Sequence, residues 1–381
     1  MLKIASKLPH LGTTIFTVMS QMASEYKAIN LSQGYPDFDV PEPLLALMTK
    51  YLNAGMNQYP PMTGVPYLRQ QIAVKVENLY DCKVDSETEI TVTSGATEAL
   101  FVAIQATIQA DDDVIVFDPV YDSYEPAIQL AGGRAIHVPL DDQFNINWDL
   151  VRAAMTSRTR MIIVNSPHNP SGSTLKSDDL DQLQALTEDT NIIVLSDEVY
   201  EHMVFNGLPH ESILTRPKLK QRAFVVSSFG KTYHATGWKV AYCIAPEALS
   251  KEFRKVHQYV TFTTHTPTQW ALAEYMESHP EHYLELPQFY QAKRDLFLEE
   301  MKDSRFKLSP SQGTYFQLAD YGEISDKSDV EFANWLTQEM GVAAIPISVF
   351  YAKPVSGRHV RFCFAKDDST IKAACKILRE L

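Results

Sequence analysis

The sequence predicts an α/β fold on a mainly parallel sheet sandwiched by helices, joined to a smaller α+β part. Three observations predict it. Short apolar, β-branched runs recur at residues 90–93, 114–117, 161–164, 192–195 and 224–226. They are continuously apolar rather than alternating, as strands covered on both faces by helices are. Between them lie segments of helical periodicity, such as 98–109 and 178–188, and after about residue 245 the chain turns largely helical.

In chain order, Ile15, Val18, Met19 and Met22 recur at helical spacing and predict an N-terminal helix over 13–25. Residues 29–33 then run into Gly34-Tyr35-Pro36-Asp37-Phe38, where the glycine permits a turn or a close backbone approach to a ligand. Helices are expected next at 42–54 and 66–80. The stretch between them, Gln58 to Gly64, is too rich in proline for a helix or a central strand. It reads as a loop with Tyr59 as its notable side chain. Beyond the sheet, helices are expected at 268–277, 281–303 and 328–340, and strands at 314–318 and 358–364. A last helix opens at Asp368-Ser369 and carries Ile371, Ala374, Cys375 and Leu378 on its apolar face. The expected division is a large domain over 45–275, with 1–44 and 276–381 forming the small one.

At 381 residues the chain exceeds one domain of about 150 residues. Its 34 basic and 47 acidic residues give a net charge of −13, which argues against a nucleic-acid partner. The 4 cysteines, Cys82, Cys243, Cys363 and Cys375, include no CxxC pair, so neither a disulfide framework nor a metal site is expected. No apolar run approaches the ~18 residues of a membrane helix, and residues 1–9 lack the apolar core of a signal peptide. A cytoplasmic, membrane-free protein is the expectation.

The residues at the carboxyl end of each strand carry the chemistry. Ser94-Gly95-Ala96-Thr97 ends the first, Asp118-Pro119-Val120-Tyr121 the second, Asn165 to Asn169 the third, Asp197-Glu198-Val199-Tyr200 the fourth and Ser227 to Lys231 the fifth. Ligands of open α/β sheets bind beyond the carboxyl ends of the strands, so five polar clusters converge on one crevice.

Three chemistries compete for Ser228-Phe229-Gly230-Lys231-Thr232. A phosphate-binding P-loop needs glycine five residues before Gly230, where Val225 stands. Ser228-x-x-Lys231 also suits a serine acyl-transfer enzyme, but the companion Ser-Asp-Asn and Lys-Thr-Gly motifs are absent. A Schiff-base lysine for pyridoxal phosphate requires an acidic partner for the pyridinium nitrogen and donors for the phosphate. Asp197 closes an apolar strand, where a carboxylate without a positive partner is costly. The bland alternative for Asp197 is a cap of the following turn.

Together Ser94-Gly95-Ala96-Thr97-Glu98-Ala99, Asn169-Pro170-Ser171-Gly172, Ser196-Asp197-Glu198-Val199-Tyr200 and Ser228-x-x-Lys231 with Gly237-Trp238-Lys239 resemble the fold-type I, class I/II pyridoxal-phosphate aminotransferases. The segments 31–38, 57–59, 63–64 and 360–364 are similar to the kynurenine and glutamine transaminase branch. Pro167-His168-Asn169-Pro170 and residues 227–234 are most similar to its bacterial methionine aminotransferases.

The resemblance implies pyridoxal 5'-phosphate as cofactor and amino acids and 2-oxo acids as substrates. Lys231 would hold the cofactor and carry protons, Asp197 would keep the ring nitrogen protonated, Asn169 and Tyr200 would bond the phenolic oxygen, and Tyr121 would stack on the ring. Gly95, Ala96, Thr97, Ser228 and Lys239 would hold the phosphate. Arg361 would bind the substrate carboxylate. In the alternation of 359–364 it is expected to turn away from the apolar side of its strand. Gly34, Asn169, Phe16, Tyr35 and Phe350 would line the substrate pocket, with Ile15 nearby. A homodimer with shared active sites is implied, with Tyr59 reaching the second subunit's cofactor phosphate. His265 is either a second crossing residue or a core histidine. Methionine and aromatic amino acids are the implied donors; kynurenine or glutamine transamination and cysteine-conjugate β-lysis are the alternatives.

Overall fold

The computed structural model describes residues 2, 4–355 and 357–381. Among the described residues there are twelve strands: β1 (Ile29–Asn30), β2 (Ile90–Thr93), β3 (Asp113–Asp118), β4 (Arg134–Pro139), β5 (Thr159–Asn165), β6 (Ile193–Asp197), β7 (Ala223–Ser228), β8 (Ala241–Ile244), β9 (Phe316–Asp320), β10 (Val342–Ala343), β11 (Ile345–Pro346) and β12 (His359–Cys363).

Seven of them form one sheet in the order β2-β8-β7-β6-β5-β3-β4. All pairings are parallel except those of β8, which runs antiparallel to both its neighbours. Successive residues along one strand enter opposite cores. Ile115, Phe117, Ile162, Val164, Val194 and Val225 pack on one face, and Val114, Val116, Ile163, Leu195, Phe224 and Val226 on the other. Both faces are dry, which is why these strands read as unbroken apolar runs. Two strands had no such signature. β4 is an edge strand that is largely half-exposed and carries Arg134 and His137; β8, Ala-Tyr-Cys-Ile, contains a single β-branched residue.

A third core holds Met19 and Leu31 together with Phe316, Phe332, Val360, Phe362, Ile371 and Leu378. It gathers around a sheet ordered β11-β12-β9. β1 pairs with β10, which ties the N-terminal segment to the C-terminal part of the chain. The expected helices lie at Ile15–Glu25, Glu42–Asn53, Pro66–Tyr80, Ala96–Thr107, Ser177–Thr187, Thr266–Ser278, Glu281–Met301, Asp329–Gln338 and Asp368–Leu378. No helix among the described residues is long and apolar enough to cross a membrane.

Candidate active site

The carboxyl ends of β2, β5, β6 and β7 meet at a cavity of about 360 Å³. Sheet order explains one part of it. Ala241, at the start of the reversed β8, pairs with Thr93 on one side and Ser228 on the other. Lys239, two residues earlier, therefore comes back to the same edge beside the β2 end. A Cβ built on Gly95 would lie 3.0 Å from Lys239 Cε and 3.1 Å from its Nζ. Gly95 adopts φ +84°, a left-handed conformation that glycine takes without strain. The helix Ala96–Thr107 starts directly after it with no side-chain cap. Its first N–H groups and its dipole thus face the cavity as an anion cradle.

Lys231 lies just beyond β7. Its Nζ donates to the Tyr315 hydroxyl at 2.8 Å and to the Gly34 carbonyl at 3.2 Å, while the Tyr315 hydroxyl donates to the same carbonyl. Burial pushes the amine down to about 8; Cys363 opposes that shift, and Arg361 and Lys239 add to it. Asp197, at the end of β6, is 3 % exposed. Its Oδ2 accepts from the Tyr124 hydroxyl at 2.7 Å and its Oδ1 from the Val199 N–H at 3.4 Å, both neutral donors. Burial lifts this carboxyl to about 6, although Tyr124 and Lys231 pull the other way.

Arg361 comes from β12. Nη1 donates to Asn169 Oδ1 at 2.7 Å and Nη2 to the Ser32 carbonyl at 3.0 Å. Its Nε is buried with no partner. The guanidinium carbon lies 3.7 Å from the centre of the Phe316 ring. Arg361 turns away from Val360 and Phe362, which lie in the third core, as the alternation of its strand predicts, but it does not turn into solvent: it is 1 % exposed and lies on an aromatic face supplied by another strand. A planar, weakly hydrated cation tolerates that contact while its edges still reach acceptors. Gly34 packs against the same ring, where a Cβ would meet Phe316 Cζ at 2.8 Å.

The cavity brings together Phe16, Gly34, Tyr35, Gly95, Ala96, Thr97, Tyr121, Asn169, Asp197, Tyr200, Ser228, Lys231, Lys239 and Arg361. Two residues of the expected set lie elsewhere. Phe350 is buried behind Phe16, with ring centroids 5.7 Å apart. Tyr59 is 83 % exposed, edge-on to Phe262. The core-histidine reading of His265 is overturned: it is exposed at the start of helix Thr266–Ser278 and bonds Thr268 Oγ1 at 2.8 Å. Sequence reasoning gave no role to Tyr124, Tyr315, Phe316 and Ser32. Asn165 stood out only as a strand end; its Nδ2 donates to the Asp197 carbonyl and its Oδ1 accepts the Asn169 N–H, each at 2.9 Å.

Comparison with known proteins agrees with this geometry. The chain matches the family described as Aminotransferase class I and II over residues 26–378. It is 52% identical to a methionine aminotransferase of Escherichia coli (strain K12), over 99% of this chain and 98% of that protein. A solved Escherichia coli structure described as identifying a methionine aminotransferase function superposes with a TM-score of 0.98, at 52% identity and 100% coverage of both chains. An N-succinyldiaminopimelate aminotransferase structure from Mycobacterium tuberculosis gives 0.95 at 35% identity, covering 99% of this chain and 100% of that one. Kynurenine–oxoglutarate transaminase 1 of Homo sapiens is 32% identical over 94% of each chain. A half-buried lysine and a buried carboxylate at a strand-end crevice, sharing it with an arginine, thus sit on a fold-type I aminotransferase scaffold, and the chain belongs to the class I and II aminotransferases.

Proposed function

We propose that this chain binds pyridoxal 5'-phosphate, the cofactor of its family, and moves the amino group of methionine and of aromatic amino acids to a 2-oxo acid in a ping-pong cycle. The observation that carries the reading is the half-buried Lys231 amine, lining one cavity with the buried Asp197 and Arg361. The residues present fit the cofactor. Bare backbone at Gly95, an uncapped helix start and the Lys239 ammonium suit its phosphate, with Ser228 adding a hydroxyl. Asp197 has only neutral donors and would gain a cationic partner in a protonated ring nitrogen. Asn169 and Tyr200 would bond the phenolic oxygen, and Tyr121 would cover the ring.

When bound, the cofactor supplies an electron sink for the charge that develops at the substrate Cα. Lys231 would hold it covalently, and its freed Nζ would take the proton from the substrate Cα and deliver it to the cofactor's C4′. Arg361 would clamp the substrate carboxylate, offering its unpartnered Nε. Arg361→Lys keeps the charge and loses the fork; KM for the amino donor should rise about 10- to 100-fold, with a smaller change in kcat. Steady-state kinetics at fixed acceptor measure this.

Arg361 is the one arginine lining the cavity among the described residues, and Phe16, Tyr35 and Leu100 supply apolar walls. That favours donors without a side-chain carboxylate. An apolar pocket separates neighbouring side chains by only ~1–3 kcal/mol, so methionine, phenylalanine, tyrosine and kynurenine should overlap. A donor panel with one 2-oxo acid tests the reading: methionine and aromatics should turn over at least about 100-fold faster than aspartate. Aspartate as the preferred donor would refute it, and pyruvate and ammonia released without an acceptor would favour the β-lyase alternative.

Two further expectations belong to the same reading. The exposed Tyr59 and His265 would project toward a second copy in a cytoplasmic homodimer with shared sites. Residues 45–275 would form the large domain, and 1–44 with 276–381 the small one.

A further inference from the structure

Two buried carboxylates outside the cavity flank Val199 and Tyr200, which line it. Glu198 accepts from Ser196 Oγ at 2.8 Å and from the Ile213 N–H at 3.1 Å, and its Oε2 lies 2.9 Å from His210 Nε2. Glu201 Oε1 accepts from Lys75 Nζ at 2.6 Å and from the Tyr242 hydroxyl at 3.1 Å; Oε2 accepts from the Tyr80 hydroxyl at 2.6 Å. Lys75 also donates to the Tyr242 oxygen at 2.6 Å and lies 3.1 Å from His202 Nε2. The side chains of Lys75 and Glu201 are 5% and 4% exposed.

The charge states agree with this wiring. Burial pushes the Glu201 carboxyl up, but Lys75 and the surrounding donors outweigh it and hold it well below the usual range. Burial, with Lys75 alongside, pushes His202 down to about 3, so its ring is neutral and Nε2 accepts the third ammonium proton. A buried pair of this kind adds little net stability, because desolvation offsets the attraction. What it does fix is geometry. It ties helix Pro66–Tyr80 and β8 to the turn after β6, a turn closed by Glu201 N–H to the Glu198 carbonyl at 2.9 Å and Met203 N–H to the Tyr200 carbonyl at 2.8 Å.

We propose that Lys75 and Glu201 are positioning residues for Tyr200, holding its hydroxyl in register with Asp197 across the cavity. The inference rests on the reading of Tyr200 as a donor to the cofactor's phenolic oxygen. A hydrogen bond to an anionic oxygen favours the deprotonated form of the lysine-bound cofactor, so a displaced Tyr200 raises the pH midpoint of its visible band.

The test is the double variant Lys75→Met with Glu201→Gln, which removes both charges; the glutamine amide can accept from one of the two tyrosine hydroxyls, Tyr80 or Tyr242, and donate to the other. Its expected signature is a band midpoint about one pH unit higher and a cofactor Kd raised about 10-fold, with thermal stability close to that of the wild type. In a Tyr200→Phe background the same double change should no longer move the midpoint. A folded double variant with wild-type midpoint and Kd overturns the proposal. If the double variant does not fold, Tyr80→Phe decides: it removes one hydroxyl from Glu201 and keeps every charge. A smaller upward shift supports the proposal and no shift overturns it. A wild type without a lysine-dependent band overturns the functional reading and this inference with it; a banded wild type with unmoved variants overturns this inference alone.

Discussion

Lys231→Ala should abolish the visible absorbance of the reconstituted protein and lower turnover by about 100- to 10,000-fold, the usual share of a positioned acid–base group. Nothing else in the cavity replaces its amine. Lys239 lies against Gly95 on the phosphate side, and Arg361 stays protonated. The same amine sets a pH dependence. Burial brings Lys231 down to about 8 from the ordinary lysine value, and only the neutral amine attacks an aldehyde. Capture of the cofactor by the empty protein should therefore quicken about tenfold per pH unit up to about pH 8 and then level off. Stopped-flow absorbance across pH 6–9 measures it; a rate that still climbs steeply at pH 9 would contradict a depressed lysine.

Asp197→Asn should lower turnover by about 100-fold or more while making the cofactor-free protein more stable. The sign comes from the carboxyl, which burial raises from 3.8 to about 6. Its folded form binds a proton more tightly than its unfolded form, so stability falls as pH rises from about 4 to about 6 and stays reduced above that. Two units correspond to about 3 kcal/mol. Asparagine has no such cost and keeps an oxygen to accept from Tyr124. The cofactor-free variant should melt a few degrees above the wild type at pH 7–8, and the gap should close near pH 4. Equal melting temperatures at pH 7 would mean that Asp197 is not strained when the site is empty.

Much of this site was legible because polar residues stand at the ends of apolar strands. Asp197 and Lys231 each interrupt such a run at a point where burial has to be justified. Tyr124 and Tyr315 were not legible. Each reaches its partner across a long stretch of chain, 73 residues to Asp197 and 84 to Lys231, and a tyrosine carries no local mark of such a contact. Lys75 is harder still, since a lysine in a helix reads as solvated, and only the return of Glu201 126 residues later makes it a core group. The alternation around β12 correctly separated Arg361 from Val360 and Phe362. It could not show that Phe316, from a different strand, covers the guanidinium. The strand β8 stayed hidden because its sequence, Ala-Tyr-Cys-Ile, has one β-branched residue where the equally short β2 has four, and with it went the reason Lys239 returns to the site.

That reversed strand also determines which segments tolerate change. The parallel strands are entered at the end of the sheet opposite the cavity, where an added or lost residue can be absorbed by a helix end or an exposed turn. The connection from Ser228 to Ala241 has no such slack, because both its ends are hydrogen-bonded at the cavity edge. A single insertion there would displace Lys231 and Lys239 together, whereas the same insertion before Arg134 would reach neither.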